Sequence, residues 1–148
     1  MNDYNEFYQV FIEKLTNSRK LFPADFTIPN HQINRAYLGY STGRGGLKYY
    51  TEYTSRGYGQ GYVGFIVGVY IDGQDYEYNL QKLKQHKNTI EDKLGEHIYW
   101  INTGRAGRIF FRLDESFGNS QSWDNVMDWE IKRLSMIINV FSPYIREL

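Results

Sequence analysis

The stretch Arg108-Ile109-Phe110-Phe111-Arg112-Leu113 alternates without exception, with Ile109, Phe111 and Leu113 at one set of positions and Arg108, Phe110 and Arg112 at the other. Successive side chains of a strand point to opposite faces, so this period specifies a strand with one apolar face and one cationic, aromatic face. Such two-sidedness belongs to an antiparallel sheet covered on a single side. Upstream, residues 102–107 read as a turn and residues 97–101 as its partner strand, which completes a hairpin. Further back, residues 34–40, 47–53 and 62–71 are rich in Tyr, Val and Ile and are separated by Gly-containing turns, which predicts an antiparallel meander.

Helical periodicity surrounds these strands. Asp3 and Glu6 have capping-box spacing, and Phe7, Val10, Phe11 and Leu15 recur on one face, predicting a helix over residues 3–16. Pro23 and Pro29 mark residues 21–32 as a surface loop pinned by Phe22, Phe26 and Ile28. Tyr76, Leu80, Leu83, Ile90 and Leu94 keep helical spacing up to Gly95, predicting one helix after the cap signals Asp72, Gly73 and Asp75. After a polar loop over residues 114–121, Trp123, Val126, Met127, Ile131, Leu134, Ile137, Ile138 and Phe141 form a wide apolar stripe, and Pro143 is expected to limit that helix. The order α-β-β-β-α-β-β-α predicts an α+β fold, an antiparallel sheet of about five strands with helices mainly on one face, in a single domain.

Composition sets the outer limits. The chain has 148 residues, 41% of them apolar and 23% charged, which suits one soluble domain with its own core. It has no cysteine, which excludes disulfides, thiolate nucleophiles and iron–sulfur clusters. The apolar run at residues 62–71 is about half of what a membrane-spanning helix requires. Met1 is followed by the polar Asn2, Asp3 and Asn5, so the expected location is cytoplasmic, with no membrane partner. The anomaly is aromatic: 14 tyrosines and 18% aromatic residues.

Charge is distributed more tellingly than its zero sum implies. Residues 31–71 carry Arg35, Arg44, Lys48 and Arg56 against Glu52 alone, and residues 97–113 carry Arg105, Arg108 and Arg112 with no carboxylate. Both cationic stretches are the strand-forming ones. A basic sheet beside acidic helices permits anion binding in a neutral protein.

Motifs with a defined chemistry are mostly excluded. His31, His86 and His97 have no neighbours at metal-ligand spacing, and no G-x-S-x-G elbow occurs. Gly43, Gly45 and Gly46 are not followed by G-K-[ST] or by a helix, which excludes a Walker-type phosphate loop. Glu91-Asp92-Lys93 and Glu130-Ile131-Lys132 have the E-x-K spacing of many metal-dependent nucleases, but both fall on expected helices where that site needs a strand. Residues 56–65, from Arg56 to Phe65, partly match an RNA-recognition-motif signature. Gln60 and Gly61 interrupt the match, and the element order is wrong for that fold.

The physics of base recognition nevertheless survives. Tyr37 beside Arg35, Tyr50 beside Lys48, and Phe110 between Arg108 and Arg112 interleave aromatic and cationic side chains on what is expected to be one open sheet face, with Arg56 close by. Such a face stacks bases at about 1–3 kcal/mol each while its cations meet phosphate. On the central strand, Gly64 and Gly68 leave room between Tyr62 and Tyr70 for a flat ligand, a neighbouring backbone or a facing side chain. Thr42-Gly43-Arg44-Gly45-Gly46 is echoed by Thr103-Gly104-Arg105-Ala106-Gly107. Glycines there permit the positive φ of tight turns, and each turn projects an arginine, Arg44 or Arg105, from a backbone with amides free for an anion.

Tyr70-Ile71, the helix ending Ile90-Glu91-Asp92-Lys93-Leu94-Gly95-Glu96, Tyr99-Trp100, Arg108-Ile109, and Trp123 through Trp129 to Phe141-Ser142-Pro143-Tyr144-Ile145 resemble the family called domain of unknown function 4268. The likeness covers residues 62–148 well and the N-terminal part loosely. It implies a domain often carried behind a nuclease-like module in proteins connected with restriction and phage defence, without agreed catalytic residues. This chain has no such module and starts at its first helix, so a free-standing copy is expected.

The leading expectation is a non-enzymatic binding module in nucleic-acid or defence-related processes, with no metal, no cofactor and no catalytic residue. Its ligand groups are Arg35, Arg44, Lys48, Tyr50, Arg56, Arg105, Arg108, Phe110 and Arg112. A second reading is a nucleotide-binding protein using Tyr62, Gly64, Gly68 and Tyr70, at an interface of a homo-oligomer. A third is a surface for a protein partner, to which Tyr and Arg are equally suited.

Overall fold

The computed structural model describes residues 3–30 and 32–148; His31 lies outside them. Alternating strands and amphipathic helices assemble in the expected order. Helix α1 (Tyr4–Asn17) precedes strands β1 (Tyr37–Ser41), β2 (Leu47–Thr54) and β3 (Gly64–Ile71); helices α2 (Tyr76–Lys84) and α3 (Lys87–Leu94) follow, then β4 (Tyr99–Asn102), β5 (Gly107–Leu113) and the long α4 (Trp123–Arg146). All neighbouring strands pair antiparallel in the order β1-β2-β3-β5-β4. The first three strands are the meander and the last two the hairpin, with β5 inserted against β3 and β4 left at the edge.

The helices share one side of this sheet because the apolar stripes have one apolar face to meet. Leu38, Tyr40, Tyr49, Phe65, Val67, Val69, Ile109 and Phe111 pack in a single core with Phe7, Phe11 and Leu15 of α1, Leu80 and Leu83 of α2, Ile90 and Leu94 of α3, and Leu134, Ile137 and Phe141 of α4. At about 1.5–3 kcal/mol per fully buried large apolar side chain, this layer dominates stability.

Three local details depart from the sequence reading. Residues 76–94 form two helices, not one, broken at His86, whose φ/ψ of −104°/13° is non-helical. Residues 84–89 are polar throughout, so no apolar side chain holds that turn on the core and the chain can change direction. Pro143 lies inside α4 and does not stop it. It forfeits one backbone hydrogen bond near the end, while Ile145, 1% exposed, ties the final turn to the core. Asp3 and Asp75 precede α1 and α2 as expected, but neither side chain makes a capping hydrogen bond.

Candidate ligand-binding face

Antiparallel register arranges the helix-free face as a grid. One row runs Ser41, Lys48, Tyr70, Arg108 and Ile101; the next runs Gly39, Tyr50, Gly68, Phe110 and Tyr99; the third runs Tyr37, Glu52, Ile66 and Arg112. Tyr50, Ile66, Ile101 and Phe110 are buried in a second, small core, and Tyr37, Tyr58, Tyr62, Tyr70 and Tyr99 pack half-buried around it. The face is therefore a tyrosine-rich plate, not a set of isolated surface rings.

Tyr37 stacks on Tyr50 at 5.7 Å, and Tyr70 meets both edge-on at 6.3 and 6.2 Å. Burial pushes the Tyr37 hydroxyl up to about 12, with Arg108 partly opposing the rise. Burial likewise raises the Tyr50 and Tyr58 hydroxyls well beyond the ordinary range. These phenols stay protonated, and those of Tyr50 and Tyr58 act as hydrogen-bond donors.

Arg108 sits at the centre. Its guanidinium carbon lies 4.1 Å from the Tyr58 ring centre, 4.5 Å from Tyr70 and 5.2 Å from Tyr50, and Nη1 is 3.2 Å from Glu52 Oε1. Burial alone would lower its pKa, but the hydrogen bond to Tyr50 and the Glu52 carboxylate oppose this and keep it charged. The Tyr58 hydroxyl donates to Glu52 Oε1 at 2.6 Å and lies 3.1 Å from the Tyr50 hydroxyl, which therefore donates to Tyr58. Glu52 and Tyr58 belong to this cluster although sequence reasoning passed over both. Glu52 was legible as the lone carboxylate in a basic stretch, and Tyr58 as a ring set between glycines.

The remaining candidates fall into three groups. Arg35, Lys48 and Arg56 are exposed, and Arg35 lies 5.6 Å from the Tyr37 ring centre. Arg112 is half-buried and engaged, donating to the Val63 carbonyl at 2.6 Å and pairing with Asp114 at 3.5 Å. Phe110 is fully buried beneath Tyr58, Tyr62 and Tyr99. Tyr62 precedes β3 and packs against Tyr99 at 4.9 Å instead of projecting from the strand. Of the three occupants considered for the glycine trough, the neighbouring backbone takes the space: a Cβ on Gly68 would lie 2.0 Å from the Ile109 carbonyl oxygen, and one on Gly64 2.3 Å from that of Leu113.

The echoed turns come to the same end of the sheet, because Leu47 and Gly107 both pair with Ile71. They have similar construction. Gly43 N–H donates to Ser41 Oγ at 3.0 Å and Gly104 N–H to Asn102 Oδ1 at 2.8 Å, while Thr42 and Thr103 hydroxyls bond backbone within their own turns. The Gly43, Arg44 and Gly104 amides are thus used internally, contrary to the expected free amides. Arg44 and Arg105 are exposed and lie beyond the row of Lys48 and Arg108, with Asp72 leaving β3 between the turns.

Among the described residues, no group of three or more His, Cys, Asp or Glu side chains could hold a metal ion, and no helix is long and apolar enough to cross a membrane. Fold and face together define an α+β protein with one helix-covered sheet face and one aromatic, cationic face. The chain belongs to the family described as Domain of unknown function (DUF4268), whose model matches residues 4–145 and so takes in α1 and the meander as well as the C-terminal half. No curated protein and no solved structure matches it.

Proposed function

We propose that this domain is a binding module for single-stranded nucleic acid, working in the nucleic-acid or defence-related processes implied by its family resemblance. The observation that carries the reading is the helix-free face, where half-buried tyrosines surround a charged guanidinium and exposed Arg35, Lys48, Arg56, Arg44 and Arg105 stand at its margins. Half-buried rings offer stacking surface at low entropic cost, because packing already fixes their orientation. The marginal cations suit phosphates of a strand crossing the plate from the turn end.

Fluorescence anisotropy with labelled single-stranded oligonucleotides tests this. The expected result is binding whose log K falls with log salt at a slope of about −2 to −3, as neutralising some three or four phosphates requires. Arg44→Ala and Lys48→Ala should each flatten the slope. Absence of binding at low salt would refute the reading.

A further inference from the structure

The segment joining β2 to β3 lays Tyr58 over the open face. Its ring is 4.1 Å from the Arg108 guanidinium carbon and edge-on to Phe110 at 5.6 Å, and its hydroxyl donates to Glu52 at 2.6 Å. The backbone beneath is costly: Tyr58 has φ +60°, a left-handed conformation that bulky L residues rarely adopt. Gly57, Gly59 and Gly61 around it also have positive φ. Gly57 is anchored, since its N–H donates to Thr54 Oγ1 at 2.8 Å and a Cβ there would lie 2.1 Å from Tyr62 N. Gly59 and Gly61 have open space around them. Beyond that anchor the loop closes on itself, the Gln60 and Tyr62 N–H groups donating to the Gly57 carbonyl at 2.9 and 3.2 Å, with a strained aromatic residue inside the turn.

We infer that Tyr58 occupies in cis the slot of a guanine base, which replaces it when the loop swings away. The inference rests on the reading of this face as a nucleic-acid surface and specifies which base it takes. Tyr58 presents a flat ring to Arg108 and an O–H donor to the half-buried Glu52 carboxylate, whose side chain is 18% exposed. Guanine presents a flat ring and two parallel donors, N1–H and the 2-amino group, which match the two oxygens of a carboxylate. Adenine and cytosine place a ring acceptor beside their single amino donor, and uracil flanks its N–H with two carbonyls. Each would aim a lone pair at the carboxylate. Arg108 would stack on the incoming ring as it does on Tyr58.

The test is anisotropy with short uridine-rich RNA strands carrying one central G, A, C or U, plus equilibrium dialysis with GMP and AMP. The parent should prefer the G strand by about tenfold, and Tyr58→Gly, which removes the occupant and relieves the backbone, should tighten G binding by about another tenfold. Tyr58→Phe, which keeps the ring but loses the bonds to Glu52 and Tyr50, should gain part of that. Glu52→Gln should abolish the preference for G over A. If Glu52→Gln does not melt cooperatively, the two Tyr58 variants decide, and unchanged G affinity in both overturns the inference. Equal binding of all four strands overturns the guanine slot and leaves the single-strand reading intact. Binding of GMP but not AMP, with no strand bound, keeps the slot and overturns the single-strand reading. No binding of any probe by parent or Tyr58→Gly overturns both.

Discussion

Arg108 on β5 and Glu52 on β2 form an ion pair at 3.2 Å although β3 stands between their strands. Register places Gly68 at the midpoint of that diagonal. The pair is mostly sheltered, with side-chain exposures of 15% and 18%, so removing either partner strands a charge in poor solvent. Arg108→Ala should lower stability by about 2 kcal/mol, below the ~3–5 kcal/mol of wholly buried pairs because water still reaches this one. Arg108→Lys should lose less, keeping the charge but not the planar stacking on Tyr50, Tyr58 and Tyr70. Urea melts of Arg108→Lys, of Arg108→Ala and Glu52→Gln singly, and of those last two combined supply the measurement. Strictly additive losses would show that the two side chains are not coupled.

Glu130 on α4 is 1% exposed, and neither carboxylate oxygen has a hydrogen-bond partner among the described residues. Tyr8 of α1 and Tyr40 of β1 lie near enough to feel its charge, but Tyr40 is bonded to Thr51 of β2 at 3.0 Å and Tyr8 donates to the Ala36 carbonyl. Burial pushes the Glu130 carboxyl well above the usual range. A carboxyl raised on folding keeps its proton in the native state after the unfolded chain has lost it. Its contribution is therefore fully present below the unfolded pKa and is lost as pH rises toward the folded one, at up to ~1.4 kcal/mol per pH unit. Glu130→Gln should flatten this dependence, and Glu130→Leu should also raise stability at pH 8 by about 2 kcal/mol. Denaturant melts from pH 5 to pH 8 check both, and parallel curves for parent and Glu130→Gln would contradict the assignment.

The alternation in residues 108–113 was sufficient to orient the sheet because the period of a strand is two and admits no compromise between faces. What the open face does with its aromatic residues was not legible. Interleaving placed Tyr50 and Phe110 correctly on it, but the small core that buries them is completed by Tyr58 and Tyr62, which arrive from a glycine-rich loop without periodicity. Arg108 read as a free cation because its partner Glu52 is 56 residues away in sequence and meets it only through register. Glu130 was hidden for a related reason: a carboxylate within an otherwise amphipathic helix reads as solvated until the helix is docked.

The glycine at position 68 is a packing requirement. A Cβ there would lie 2.0 Å from the Ile109 carbonyl oxygen and 2.8 Å from Phe110 Cα, both on the neighbouring strand. Gly68→Ala should separate β3 from β5 and cost more than ~3 kcal/mol, at the upper end of overpacking losses. In the opposite layer, Leu134→Ala, at a fully buried site in α4, should cost about 2–5 kcal/mol by leaving a cavity. The two lesions differ in kind, so hydrogen exchange distinguishes them. Gly68→Ala should expose amides of β3 and β5 ahead of global unfolding, whereas Leu134→Ala should lower protection throughout.

The paired turns separate conformation from binding within one short motif. Gly43 and Gly104 have φ of +81° and +88° and open space where a Cβ would go. Gly43→Val and Gly104→Val should therefore each cost about 1–2 kcal/mol through backbone conformation alone, with no steric clash. Gly45 has open space and no positive φ, so Gly45→Ala should be neutral or stabilise by up to ~1 kcal/mol by restricting the unfolded chain. Arg44→Ala and Arg105→Ala, at exposed tips, should leave the melting temperature within experimental error while weakening single-strand binding and its salt dependence. Arg44→Lys should recover the salt dependence but only part of the affinity, since an ammonium keeps the charge and loses the fork. Unaltered binding in both alanine variants would remove the turns from the ligand's path and confine recognition to the tyrosine plate around Arg108.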